Sequence, residues 1–216
     1  MRQWVESAAA MNADGIFFDE PHTFVFQGSD PRWGCWCEVC RAQAAQWRLA
    51  HDGVPYAFLR RTIADFVRTI SQQAAQRSLR CSLCVYPMEH PEVLPLWESL
   101  AEIPEISIVG TDPYWRTHHQ EVEPFVRRWA AWTVAWAARH RKTPQLWIPT
   151  FGIPAGAEGD VAQAVTIARE AGVQNIAVWS FDCGALIDRL RSANPRVVWE
   201  TLCGTIKSSR GVAQLG

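Results

Sequence analysis

Two adjacent acids follow the most strand-like segment of this chain. The run GIFFDEPH, residues 15–22, is apolar and aromatic through Phe18 and then presents Asp19 and Glu20. Paired carboxyl groups can donate and accept protons during bond cleavage, and α/β enzymes carry such groups at the carboxyl ends of their strands. Acids that end so apolar a strand would be costly to bury without a role. We therefore interpret Glu20 as a candidate catalytic group, with Asp19 and the nearby His22 as candidate substrate contacts.

Three closely spaced thiols come next, in the pattern Cys35-x-Cys37-x-x-Cys40. This spacing suits thiolates that wrap one metal ion, and zinc is the usual occupant. The chain has 7 cysteines and no leader-like apolar segment, which disfavours a disulfide framework. A structural zinc is predicted, with His22 or Cys183 as a conceivable fourth ligand, while plain free thiols remain the alternative.

Further polar and aromatic residues stand where other predicted strands give way to loops. Asp112 lies in GTDPYW, and Asp182 follows a later strand. Flat aromatic side chains at such places can stack on the C–H face of a sugar, or they can pack loops on the core. Asp112 and Asp182 could likewise hydrogen-bond their own loop backbone. Asp112 is our candidate second catalytic acid, and the candidate substrate contacts are Tyr114, Trp115, Trp179 and Asp182.

The elements that must position these residues alternate between strand and helix. Short β-rich segments bounded by Gly, Pro, Asn or Asp predict strands over residues 15–19, 80–86, 106–111, 145–150 and 175–181. Helical periodicity predicts helices over residues 3–11, 56–77, 93–103, 121–141 and 160–171. This alternation predicts parallel strands, and the chain has no G-x-G-x-x-G or P-loop, which an open nucleotide-binding sheet usually carries.

The fold class is therefore predicted to be α/β, of the (β/α)8 TIM-barrel type. A complete barrel has eight units and usually about 250 residues, whereas five strands are recognisable here. We expect residues 1–207 to form a partial barrel domain corresponding to strands four to eight, a fragment of a barrel, and residues 208–216 to form a frayed tail. A partial barrel would expose strand edges, so a homo-oligomer is a possible arrangement.

Composition excludes several classes of function. The formal net charge is −1, which leaves no basic surplus for nucleic acid, and no apolar stretch is long enough for a membrane span. We expect a cytoplasmic protein without an organic cofactor.

One family resemblance builds on these residues. The strand with its acidic pair, followed by WGCWCEVCRAQAAQW, resembles the fourth-strand region of the family 42 glycoside hydrolases, which are β-galactosidases, and of related barrel hydrolases. The resemblance implies that Glu20 is the acid/base and that Cys35, Cys37 and Cys40 help to bind zinc. It covers about thirty residues closely. Asp19 stands where the family has Asn, and the strand that would carry the nucleophile reads QLWIPTFG, without a terminal carboxylate.

The leading hypothesis is a possible glycosidase that uses Glu20 and Asp112, with Asp182 as the second choice for the second acid. Carboxyl groups about 5–5.5 Å apart would retain the anomeric configuration, and about 6.5–9.5 Å would invert it. One alternative is a carbohydrate-binding or degenerate barrel that lacks the nucleophile. A weaker alternative is a metal-dependent hydrolase or isomerase using Asp19, Glu20, Asp112 and His118-His119.

Overall fold

The structure, a computed structural model, describes residues 2–22, 24–27, 30–33, 37–51 and 55–212. The chain divides into two compact units, residues 1–107 and residues 108–216. Each unit contains strands that pair in parallel, with helices between them in the chain, and the first unit also contains one antiparallel pair of short strands.

The first unit begins with a helix and a short strand. Its elements are, in chain order, α1 (Arg2–Ala10), β1 (Gly15–Asp19), β2 (Phe24–Gln27), β3 (Asp30–Trp33), α2 (Glu38–His51), α3 (Pro55–Ala75), β4 (Arg80–Val85) and α4 (Leu94–Ala101). Strands β1 and β4 are parallel, with Gly15 opposite Arg80 and Asp19 opposite Cys84. A Cβ atom at Gly15 would lie 2.4 Å from the Arg80 carbonyl oxygen, so only glycine permits this close pairing.

The core of the first unit lies where α3 packs against β4 and α4. The apolar spacing of residues 56–77 predicts this helix, and Pro55 occupies its first position, where a missing backbone N–H costs nothing. The most deeply buried side chains of this unit include those of Val67, Ala74, Leu83, Val85, Leu96 and Trp97. In β1 only Phe18 is fully buried, while Phe17 is 40% exposed, so one face of this strand packs on the core and the other does not.

The second unit continues the alternation. Its elements are β5 (Ile106–Thr111), whose first two residues belong to the first unit, α5 (Val122–His140), β6 (Thr143–Pro149), α6 (Gly159–Glu170), β7 (Asn175–Trp179), a 3-10 turn (Asp188–Leu190) and α7 (Pro195–Val212). Strand β6 pairs in parallel with both β5 and β7, in a register that places Ile108 opposite Thr143 and Gln145 opposite Asn175. The carboxyl ends of these three strands therefore meet at one edge.

The predicted fold class is confirmed. The chain is an α/β protein whose parallel strands alternate with helices, as in part of a (β/α)8 barrel. The last helix continues to Val212, beyond residue 208 where the sequence predicts a frayed tail. Within the described ranges, no helix combines the length and the apolar character that crossing a bilayer requires.

Candidate functional site

Glu20 is held in an unusual backbone conformation at the end of β1. Its backbone N–H donates to the Cys84 carbonyl oxygen at 3.0 Å, which extends the pairing of β1 with β4 by one residue. Its φ of 41° lies in the left-handed region, which residues other than glycine rarely adopt. Ser78 and Arg141 share this conformation, but each follows the end of a helix, where it is common. Glu20 instead follows a strand, and backbone strain at such a place is typical of functional positions.

His22 lies beside the Glu20 carboxylate. Its Nε2 atom is 3.8 Å from Glu20 Oε2, and the two side chains are 19% and 30% exposed. The imidazole also contacts the buried Trp97 ring edge-on, with ring centroids 6.3 Å apart. When His22 is protonated, it therefore forms an ion pair with Glu20 at a partly shielded position.

The negative charge of Glu20 makes ionisation of the neighbouring Asp19 less favourable. Partial burial is the largest cause that raises the pKa of Asp19, and the neighbouring Glu20 charge adds to it, while His22 acts in the opposite direction. Three of the predicted site residues, Asp19, Glu20 and His22, thus form one interacting group. Two neighbouring carboxyl groups are an arrangement that acid/base chemistry uses.

The raised pKa of Asp19 leads to a prediction about stability. Because the folded-state pKa lies above the ordinary value of 3.8, the stabilising contribution of this group is present below that value and is lost as pH rises through the folded-state pKa. Asp19→Asn cannot ionise, so the variant should gain stability relative to the unsubstituted chain between pH 3.5 and pH 7. Urea unfolding at both pH values measures this difference, and a relative loss on going to pH 7 would contradict it.

The cysteine cluster is only partly within the described residues. Cys35 lies outside them. Cys37 directly precedes α2, and the Cys40 backbone N–H donates to Cys37 Sγ at 3.5 Å. This contact places the Cys37 sulfur at the first turn of α2, three residues before Cys40. Among the residues that the structure describes, no three His, Cys, Asp or Glu side chains form a group that could hold a metal ion.

Asp112 occupies the corresponding position after β5 in the second unit. It is only 6% exposed, although it carries a carboxyl group and directly follows Thr111, the last residue of the strand. The Tyr114 backbone N–H donates to the Asp112 carbonyl oxygen at 2.6 Å, and this contact closes a tight turn around Pro113. The backbone of Asp112 is thereby held at the end of the strand.

Three aromatic rings lie at the ends of the three strands of the second unit. Tyr114 and Phe151 make an edge-to-face contact with centroids 5.1 Å apart, and Phe151 and Trp179 make another at 4.8 Å. We call Tyr114, Phe151 and Trp179 the aromatic row. Trp179 is 38% exposed, so part of its indole remains open to a ligand. Tyr114 and Trp179 were predicted substrate contacts; Phe151 was missed, although it also follows a strand end.

Trp115 belongs to the core instead. The sequence predicts it as a substrate contact beside Tyr114, but its side chain is 1% exposed and packs in the hydrophobic core cluster that includes Val126, Leu146 and Ile148. The indole has no open face on which a sugar could stack. This prediction is corrected accordingly, in favour of loop packing.

Asp182 is engaged by its own loop. Its Oδ1 atom accepts from Ser180 Oγ at 2.5 Å and from the Gly184 backbone N–H at 3.1 Å, while Oδ2 accepts from the Leu186 backbone N–H at 3.2 Å. The Ser180 hydroxyl is the largest cause that lowers the pKa of Asp182, and the two backbone donors act in the same direction. Of the two roles that the sequence allows for Asp182, the structure shows hydrogen bonding to the loop backbone.

Comparison with known proteins places the fold. No protein-family model matches this sequence, and no curated protein does. Among solved structures, the chain is similar to a "putative alpha-L-fucosidase" from Bacteroides thetaiotaomicron VPI-5482, with a TM-score of 0.50 and 10% identity over 67% of this chain and 51% of that one. It is also similar to the endo-beta-1,4-mannanase from Thermotoga petrophila, with a TM-score of 0.44 and 12% identity over 69% of this chain and 41% of that one.

The chain thus spans about half, or less, of the solved chains it matches. At this level of identity the likeness shows the fold alone. The fold is α/β of the TIM-barrel type, and the residues that match family 42 are a local resemblance without support from a family match.

Proposed function

We propose that this chain is a glycoside hydrolase-like protein that hydrolyses a carbohydrate with Glu20 as the acid/base. The observation that carries the proposal is the geometry at the end of β1. Glu20 has a φ of 41° directly after a strand, and its carboxylate lies 3.8 Å from His22 and next to the carboxyl group of Asp19. Glycoside cleavage needs a carboxyl group that donates a proton to the leaving oxygen.

Asp112 is the proposed second carboxylate. Its place directly after β5 supports this role, because α/β enzymes of the barrel type carry catalytic groups at the carboxyl ends of their strands. In a retaining enzyme it would attack the sugar, and in an inverting enzyme it would activate water. Asp19 and His22 would contact the substrate near Glu20, and Tyr114 and Trp179 would stack on sugar rings.

The test is turnover of a panel of 4-nitrophenyl glycosides, with β-D-galactoside, α-L-fucoside and β-D-mannoside among them. We expect 4-nitrophenol release from at least one glycoside. Release from none of them, with no oligosaccharide binding in calorimetry, would overturn the proposal.

A second candidate function is carbohydrate binding without hydrolysis. It is favoured by β6, which ends at Pro149 and is followed by Thr150 and Phe151, so no carboxylate ends this strand. In the family that the first strand resembles, the nucleophile comes from that position. Tight oligosaccharide binding in calorimetry, with no product detected after long incubation, would establish this alternative.

We also propose a structural zinc held by Cys35, Cys37 and Cys40, with the N–H···S contact at 3.5 Å as its support. We expect about one zinc per purified chain, because closely spaced thiolates retain this ion. Cys40→Ser should lower the zinc content and Tm, whereas Cys203→Ser, on α7, should change neither. Elemental analysis and thermal unfolding measure both effects, and full zinc content in Cys40→Ser would count against the site.

A further inference from the structure

We propose that Asp182 is a positioning residue that acts through Trp179. Asp182 belongs to a set of hydrogen-bonded side chains that we call the brace, defined as Thr150, Ser180, Asp182 and Ser192. In this proposal the brace fixes the end of β7, so that the Trp179 indole is held ready to stack on a sugar ring. The sugar-binding part rests on the proposed function, whereas the positioning of Trp179 does not.

Thr150 donates hydrogen bonds to the carbonyl oxygens of two successive residues, Trp179 and Ser180. Its backbone N–H donates to the Trp179 carbonyl oxygen at 2.8 Å, and its Oγ1 donates to the Ser180 carbonyl oxygen at 2.5 Å. Thr150 is fully buried, so water does not compete for these contacts. One residue at the end of β6 therefore determines where the carbonyl groups of Trp179 and Ser180 lie.

Asp182 and Ser180 continue the brace into the loop after β7. The Ser180 hydroxyl donates to Asp182 Oδ1 and accepts from the Gly184 backbone N–H at 2.8 Å. Asp182 Oδ2 reaches the Leu186 backbone N–H, as described above. Charge-assisted contacts of this kind are the stronger class of hydrogen bond. The Asp182 carboxylate thus locks Ser180, the residue directly after Trp179, against its own loop.

Ser192 closes the brace from the other side. Its hydroxyl donates to the Thr150 carbonyl oxygen at 2.7 Å and accepts from the Ile153 backbone N–H at 3.0 Å. Its backbone N–H donates to the Cys183 carbonyl oxygen at 3.0 Å, and the residue is 1% exposed. The loop after β6 and the loop after β7 are therefore tied to each other through buried, satisfied polar groups.

The ring that this brace supports is the exposed member of the aromatic row. Trp179 contacts Phe151 edge-on and keeps 38% of its surface open. A partly exposed ring loses rotamer freedom when it is immobilised against a ligand, and that loss weakens binding. A fixed backbone at Trp179 and Ser180 removes part of this cost in advance. The carboxylate of Asp182 contributes to this and does not itself need to touch the sugar.

The position of Trp179 can be read without any ligand. In the full chain labelled with 5-fluorotryptophan, the ¹⁹F resonance of Trp179 is the one lost in Trp179→Phe. Asp182→Ala should shift and broaden this resonance, Asp182→Asn should do so less because its amide oxygen can still accept from Ser180, and Thr150→Val should act like Asp182→Ala. Asp188→Ala, in the same loop, is the matched control and should leave it unchanged. An unchanged Trp179 resonance in Asp182→Ala would overturn the proposal.

A double-mutant cycle then separates positioning from direct contact, with the best 4-nitrophenyl glycoside of the panel as the probe. Asp182→Ala alone should raise KM about two- to threefold and by no more than Trp179→Ala does, with kcat changed little, because preorganisation of one side chain is lost. In the Trp179→Ala background, Asp182→Ala should have no further effect on KM. Additive effects would show direct sugar contact by Asp182 and would overturn the proposal. If no glycoside is bound by the unsubstituted chain, the proposed function fails, and the ¹⁹F measurement alone decides on the brace.

Discussion

Glu20→Gln is expected to lower kcat/KM by about 10²- to 10⁴-fold, the usual range for loss of a general acid/base. Glutamine has nearly the same shape as glutamate and can keep the left-handed backbone conformation and the hydrogen bond from its N–H to Cys84. It cannot donate or accept the transferred proton. Initial rates with the best 4-nitrophenyl glycoside of the panel measure the effect.

The control for this substitution is Glu102→Gln, which makes the same chemical change at the end of α4. It should leave kcat/KM unchanged. Both variants should unfold at the same temperature as the unsubstituted chain. Undiminished turnover in Glu20→Gln would remove the acid/base role, and equal losses in both variants would point to a general effect on the chain.

The sequence predicts the strands well where both ends carry a steric signal. Strands β1 and β5 begin and end where predicted, because Gly15 permits the close approach to Arg80 and because Asp112-Pro113 stops β5. Strand β6 begins at Thr143, two residues earlier than predicted, since Pro144 reads as a boundary yet is tolerated near the first residue of a strand.

Other elements were not predicted, for identifiable reasons. The antiparallel pair of β2 and β3 was missed although Gly28-Ser29, the two residues between the strands in sequence, is a pair that favours a tight hairpin turn. Helix α2 begins directly after Cys37, and its segment was interpreted only as metal-binding sequence. Helix α7 begins at Pro195, a favourable first helical position that went unused.

The residues of the candidate site also differ in how well the sequence predicts them. Asp19, Glu20 and His22 are neighbours in sequence after an apolar strand, so their proximity could be predicted. The roles of Trp115 and Asp182 could not, because burial depends on how α5 and α6 cover the sheet and because hydrogen bonding depends on the path of the loop. The sequence shows an aromatic residue or an acid after a strand, but it does not show whether that side chain faces a ligand or the core.

Substitutions of Trp115 and Trp179 can measure this difference between a core residue and a residue that faces a ligand. Trp115→Ala should lower the free energy of unfolding by about 3–5 kcal/mol, because it removes a large side chain from a close-packed core and leaves a cavity. Trp179→Ala should cost about 1 kcal/mol of stability, since its side chain is 38% exposed. Glycoside binding should respond in the opposite order, with Kd raised about two- to tenfold by Trp179→Ala through the loss of ring stacking.

Urea unfolding and glycoside titration of the same two variants measure both quantities. Trp115→Phe, which keeps most of the core volume, should restore much of the stability and should bind glycoside like the unsubstituted chain. If Trp115→Ala remained stable but bound glycoside poorly, and Trp179→Ala unfolded easily, both the burial of Trp115 and the sugar-stacking role of Trp179 would be contradicted. A chain of marginal stability can lose its folded state through one such core change. Whether Trp115→Ala still folds therefore bounds the free energy of unfolding of this α/β unit.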